Sequence, residues 1–323
     1  MGKVDTVTKA YMRKNNIFAD AFNYLIYEGK TVVEPERLRE VDTTEIALPF
    51  GPQENGQSND LVQKYRDILK SAVVMQEDEA AYILLGIENQ TDIHYAMPVR
   101  NMIYDALQYG KQVADTAANH RKNDKSFRKC TSGEYLSGFY KEDVLKPVVT
   151  LVIHFGADEW DAPLSLHEMM GRQNEKLMHY VQDYQIHLID PAKLTEEDLK
   201  KFTSSLREVI EYIKYSKDKE KLSRILKDNS RMLIDREAAL VIKTITNTAI
   251  EISEKEEKID MCKAIDDMLS EREVKGEIRG IEIGEFRMLV KQVKKGRLTI
   301  EEAAEDAAMS VEEFRKVMES NVR

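Results

Sequence analysis

The chain has 323 residues, 42% apolar and 33% charged, with a formal net charge of −10. That apolar share suffices for a core, and because single cores stop growing near roughly 250–300 residues, two domains are expected. The acidity opposes a broad nucleic-acid-binding face. The chain offers no run of about 18 apolar residues to cross a membrane, and its opening stretch, MGKVDTVTKAYMRKNN, has no apolar secretory segment. Cys130 and Cys262 form no paired-cysteine or Cys/His spacing, which opposes a disulfide scaffold and a structural zinc site. A cytoplasmic protein is the expectation.

The charge is uneven. Residues 191–323 hold 27 Lys and Arg against 29 Asp and Glu, whereas the first 190 hold 21 against 29. The acidic surplus therefore lies in the N-terminal part.

In chain order, residues 9–27 carry apolar positions at 11, 18, 22, 25 and 26, a helical spacing that includes Asp20. REVDTTEIAL reads as extended. PFGPQENGQSND, 49–60, packs two Pro, two Gly and five Asn, Gln or Ser into 12 residues and is the clearest loop. KYRDILKSAVVM alternates as a half-buried strand. After the polar turn QEDE, the run YILLGI reads as a strand buried on both faces, so the two strands form a hairpin. MPVRNMIYDALQYGKQVAD is a helix with Pro98 at its start. PVVTLVIHF, 147–155, is another buried strand, and QIHLID, 185–190, one more. This order describes an α/β domain with a mixed sheet over 1–190.

From 191 to 323 the sequence is charged and Leu/Ile/Glu/Lys-rich, and it reads as an all-helical region. Thr299 with Glu302, and Ser310 with Glu313, are two S/T-x-x-E capping boxes that open two short terminal helices. Gly276, Gly280 and Gly284 share one helix face; close backbone packing and a frayed linker both fit that spacing. The terminal helices are too acidic for a DNA-reading helix-turn-helix, so packing or a contact between copies, a homo-oligomer, is expected of them.

The chemistry concentrates where YILLGI runs into Glu88-Asn89-Gln90. Residues i and i+2 of a strand share a face, so Glu88 and Gln90 project together, roughly 7 Å apart at a rise of ~3.3 Å per residue. A hairpin turning at 76–79 brings Asp67 opposite Glu88. Two carboxylates side by side repel, and one has its pKa raised, unless a divalent cation joins them. A metal pair and two exposed edge charges both fit this spacing.

Asp67 before a hairpin, then a buried strand ending Glu88-x-Gln90, resembles the PD-(D/E)XK nuclease superfamily. More closely, the chain is similar to the bacterial recombination-promoting nuclease/transposase family, whose motif is Asp…Glu-x-Gln. DAFNYLI (20–26) resembles that family's D-x-x-F helix, MPVRNMIYDALQY (97–109) its M-x-x-R…Y helix, and PVVTLVIHFG with WDAPLSLHEMM its late strand and loop. The glycine-punctuated KGEIRGIEIGEF ahead of the SVEEF helix resembles the family's tail. The resemblance implies a restriction-endonuclease-like sheet and Mg²⁺- or Mn²⁺-dependent cleavage of DNA. It puts metal on Asp67 and Glu88, and Gln90 where the superfamily has lysine. Gln can orient water but brings no charge to a developing oxyanion. Asn23 departs from the lysine the family often carries after D-x-x-F. A binding module that no longer cleaves is the alternative.

Asp20 could approach the metal or cap a helix. Arg100, with Tyr104 one turn on, could grip phosphate or pair with Glu88. HRKNDKSFRKC holds Arg121, Lys122, Lys125, Arg128 and Lys129, and either contacts the DNA backbone or is a solvated loop. His154, inside an apolar strand, reads as a core histidine. His167 and His179 lack H-E-x-x-H spacing, and the phosphate-loop, dinucleotide and nucleophile-elbow motifs are absent.

Overall fold

A computed structural model describes residues 3–41, 44–47, 62–65, 67–76, 79–123, 130–227 and 230–320. The helix expected over 9–27 is two helices, α1 (Lys3–Met12) and α2 (Asn15–Tyr27). The break follows from Lys14, whose extended backbone (ψ 129°) starts α2 afresh. Short strands β1 (Arg39–Glu40), β2 (Thr44–Ala47) and β3 (Val62–Tyr65) follow. The expected 49–60 loop lies outside the described residues.

The hairpin forms as its sequence dictates: β4 (Ile68–Gln76) pairs antiparallel with β5 (Glu79–Gln90), Ile68 facing Ile87 and Leu69 facing Gly86. That register carries Asp67, one residue before β4, to a place opposite Glu88. The expected half-buried alternation holds from Ser71 to Val74, where Ala72 and Val74 are buried, but fails before it: Ile68, Leu69 and Lys70 are successively buried. The apolar interior accepts the Lys70 head because Nζ donates to the Arg13 carbonyl (2.5 Å) and to Asn15 Oδ1 (2.6 Å) and sits over the Phe18 ring. Burial still pulls the Lys70 pKa down.

From β5 the chain enters α3 (Met97–Asn123), passes α4 (Ser132–Ser137), and returns as β6 (Val148–His154), parallel to β5. After α5 (Leu166–Met169) and α6 (Glu175–Met178), β7 (His187–Ile189) pairs parallel with β6. The five-stranded sheet thus runs β1-β4-β5-β6-β7, antiparallel on one side of β5 and parallel on the other, while β2 and β3 pair separately. β5 and β6 are continuous apolar runs because both faces are covered: Leu85, Ile87, Leu151, Val152 and Ile153 are fully buried. One cluster behind the sheet gathers Met97, Val152, Trp160, Ala162 and Ile186.

Residues 191–261 do not stand apart from this sheet. The chain divides into the units Met1–Met261 and Cys262–Arg323, so α7 (Glu196–Lys200), α8 (Leu206–Tyr215), α9 (Lys219–Leu226) and α10 (Arg236–Thr246) belong with the sheet, where α10 packs on α1. Nor is the region beyond 190 wholly helical. β8 (Leu233–Asp235) pairs with β9 (Lys258–Asp260), burying Ile234 and Ile259; three-residue strands are too short to show an alternation. Among the described residues no helix is long and apolar enough to cross a membrane.

The second unit, described by itself, is helical. α11 (Met261–Lys294) is one continuous helix through the three glycines and ends in a turn at Gly296 (φ +67°). Both expected capping boxes form: Glu302 N donates to Thr299 Oγ1, and Glu313 N to Ser310 Oγ, ahead of α12 (Ile300–Asp306) and α13 (Val311–Ser320). Ala303, Ala304 and Phe314 make its core with Phe286, Leu289 and Val293.

Candidate active site at the end of the central strand

The carboxyl end of β5 opens into a cavity of about 330 Å³ lined by Asp5, Asp67, Asn89, Gln90, Thr91, Asp92, Ile93, His94 and Arg100. In an α/β sheet this is where ligands bind, beyond the strand ends. β5 remains paired to its last residue, with Gln90 beside His154 of β6, so the Glu-Asn-Gln segment is rigid strand.

Asp67 and Glu88 are brought together as the hairpin register requires. Asp67 N donates to Glu88 Oε1 at 3.3 Å, and Asn89 N donates to Asp67 Oδ2 at 2.9 Å. The Asp67 side chain is 13% exposed and faces the cavity; that of Glu88 is wholly buried and does not line it. Burial pushes the Asp67 carboxyl above its ordinary pKa, against the opposing pull of the Asn89 N–H and Lys9.

Each carboxylate has a cation. Arg100 Nη2 pairs with Glu88 Oε2 at 2.9 Å, and Arg100 Nε donates to the Tyr104 hydroxyl at 3.3 Å. Burial alone would lower the Arg100 pKa; Glu88 and Tyr104 more than reverse it, keeping the guanidinium charged. Lys9 Nζ, from α1, stands 3.6 Å from Asp67 Oδ1.

The other expected residues are placed as follows. Asp20 is buried in α2, and its carboxylate accepts four hydrogen bonds from the backbone and hydroxyls of Thr203 and Ser204 (2.6–2.9 Å). It locks α2 to the turn before α8 and does not line the cavity. Arg121 and Lys122 are exposed in the last turn of α3. At ~1.5 Å per residue they stand about 30 Å along the helix from Arg100. Lys125, Arg128 and Lys129 lie outside the described residues. His154 is a core histidine, with Nδ1 against the Gln90 carbonyl and Nε2 against the Asp158 carbonyl.

The residues that escaped the sequence reading are Lys9 beside Asp67 and, on the cavity, Asp5, Asn89, Thr91, Asp92, Ile93 and His94. Nothing local in α1 says which sheet end its polar face meets. Asn89 had a signal, an amide inside the motif itself. The residues lining the cavity bring hard oxygen donors in the carboxylates of Asp5, Asp67 and Asp92, the Gln90 amide and the Thr91 hydroxyl, beside the nitrogens of His94 and Arg100. Among the described residues no three or more His, Cys, Asp or Glu converge closely enough to hold a metal. This donor set suits a hard cation that takes one or two carboxylates and fills its shell with neutral oxygens and water.

Sheet and cavity together define an α/β protein with an acidic, oxygen-lined pocket at the carboxyl end of its central strand. The chain matches the family model described as "Putative transposase, YhgA-like" over residues 53–239, more than half its length, and belongs to that family. The match contains Asp67, Glu88 and Gln90, crosses position 190 and ends within α10. No curated protein and no solved structure matches the chain.

Proposed function

We propose that the protein is a Mg²⁺- or Mn²⁺-dependent endonuclease of the PD-(D/E)XK superfamily, cutting DNA in the cytoplasm in a recombination or mobile-element setting. One observation carries the reading: the hairpin register sets Asp67 against Glu88 at the carboxyl end of β5, where Asp67 and Gln90 open on one cavity. Membership of a transposase-like family supports DNA as the substrate.

A divalent ion held at this acidic pair would polarise the phosphodiester and acidify an attacking water. The chain's residues do the rest. Gln90 orients water or a phosphate oxygen. Arg100, on the cavity wall, offers a planar donor to phosphate. Lys9 sets a positive charge beside Asp67, where Gln90 supplies none. Arg121 and Lys122 stand about 30 Å from Arg100, roughly nine base pairs of duplex, and hold the backbone at a distance.

Supercoiled plasmid tests the reading. The wild-type protein should nick it in Mg²⁺, Asp67→Ala should lower the rate by about 100-fold or more, and EDTA should stop it. Identical plasmid patterns in the three lanes would overturn the nuclease reading. A second reading, a relative that binds DNA without cutting it, is favoured by the burial of Glu88 against Arg100. It expects duplex binding in a gel shift with no nicking.

A further inference from the structure

A second cavity, of about 480 Å³, adjoins the one at Asp67. Thr91 and Asp92, the two residues after β5, line both. Its other walls come from the start of α1, the chain leaving β6, and the carboxyl ends of α8 and α10. The volume lies within the roughly 300–1,000 Å³ of ligand clefts. The cavity also stands beyond the carboxyl ends of the strands, where α/β sheets bind their ligands. Neither Asp67 nor Glu88 lines it, so the acidic pair leaves it without a role.

Its lining joins two characters. Phe155, Ala157, Ile213 and Ile245 bring apolar surface against which a flat ring can pack. The polar residues bring mainly acceptors. Asp92 and Asp158 carry carboxylates. Ser216 Oγ donates its hydrogen to the Ile213 carbonyl (2.7 Å) and Thr246 Oγ1 donates to the Ile242 carbonyl (2.7 Å), so both hydroxyls have lone pairs left to offer. The last turns of α8 and α10 add the negative ends of two helix dipoles. Lys217 is the exception, and its ammonium is engaged by Asp158. Such surroundings disfavour a phosphate and suit a flat ring that carries N–H donors, as adenine, cytosine and guanine do through their amino groups. Phosphate has its donor next door, in Arg100.

We propose that this second cavity receives one unpaired, amino-bearing nucleobase of the substrate strand, next to the phosphate at the end of β5. The inference rests on the DNA-cleaving reading and deepens it. A base that is paired and stacked in duplex cannot enter a cavity without being extruded, and extrusion costs least where the base is already unpaired. The substrate this favours is DNA with an unpaired nucleotide beside the cut rather than perfect duplex.

The test is the affinity of the full chain for DNA in EDTA, read by fluorescence anisotropy on a duplex with one bulged deoxyadenosine and on the same duplex without it. Wild type should bind the bulged duplex about tenfold tighter, since its extra base needs little unstacking. A bulged thymidine, which has no exocyclic amino group, should bind about threefold or more weaker than the bulged deoxyadenosine. Ala157→Trp, which fills the cavity from the chain after β6, should bring the bulged affinity down to the paired one. Ile245→Trp fills it from α10 and should do the same, which covers the case that one of the two does not fold. Equal affinity of wild type for bulged and paired duplex, or a bulge preference that survives both fillings, would overturn the proposal and leave the cleavage reading standing. A thymidine bulge bound as tightly as the deoxyadenosine bulge would overturn it too. Displacement of the bulged duplex by micromolar deoxyadenosine monophosphate would assign the cavity to a free nucleotide and overturn it equally. Wild type that binds neither duplex would overturn the DNA reading itself, and this proposal with it.

Discussion

Two buried polar side chains in the first unit are treated in opposite ways. At the junction of α2 with the 203–204 turn, both oxygens of Asp20 are saturated by four donors. At the end of β5, Asn89 is almost as deeply buried and its amide has no hydrogen-bond partner among the described residues. The first site is closed around itself. Even its glycine belongs to the packing, since a Cβ on Gly29, at φ +87°, would come within 2.6 Å of the Lys201 carbonyl oxygen. The second keeps Asp67 and Gln90 open on a cavity. A folding site spends its polar groups internally, and a ligand site holds them in reserve.

That contrast can be broken most forcefully at Asp20. Asp20→Ala strands four donors and should cost about 3 kcal/mol of stability in a urea titration. Its Mn²⁺ affinity, measured on the folded protein, should stay at the wild-type level. A stable Asp20→Ala protein that has lost Mn²⁺ would erase the distinction between the two regions.

A smaller effect sharpens the same junction. Tyr24 stacks on Phe202 at 4.3 Å, and burial, helped by the Asp198 charge, pushes its pKa from 10.0 up to about 12. The folded state thus holds the phenol proton more tightly than the unfolded state does. The stability this contributes is fully present below pH 10 and is lost as pH rises through about 12. Tyr24→Phe should flatten that alkaline loss in an unfolding titration, and an unchanged alkaline limb would remove Tyr24 from the junction's account.

The parts legible in the sequence are those fixed by local symmetry. The pairing of Gln76 with Glu79 determines which residues face each other along the hairpin, so Asp67 against Glu88 follows from counting, and two unbroken apolar runs identify β5 and β6 as strands covered on both faces. Arg100 with Glu88 was one of two readings of a helix-borne arginine, and the ion pair is the one present. What was illegible depends on distance along the chain. The partners of Asp20 lie 183 and 184 residues away, so its carboxylate could be read as a metal ligand or a cap with equal justice. Lys9 reaches Asp67 from a helix whose own pattern does not say which sheet end it meets. Lys70 looked like the solvent-facing position of an alternating strand, because nothing in RDILK announces that α2 and its lead-in cover that face. The change of composition at 190 marks the end of the five-stranded sheet, whereas the packing boundary falls at 261, since α8 and α10 are amphipathic and bury one face in the first unit.

The central claim is that the end of β5 is a cation site whose ligands include Asp67. Crystals soaked in Mn²⁺ and measured for anomalous scattering address it directly. The account predicts one strong peak in the cavity, in coordination contact with Asp67. Soaked crystals with no peak at Asp67 would contradict it.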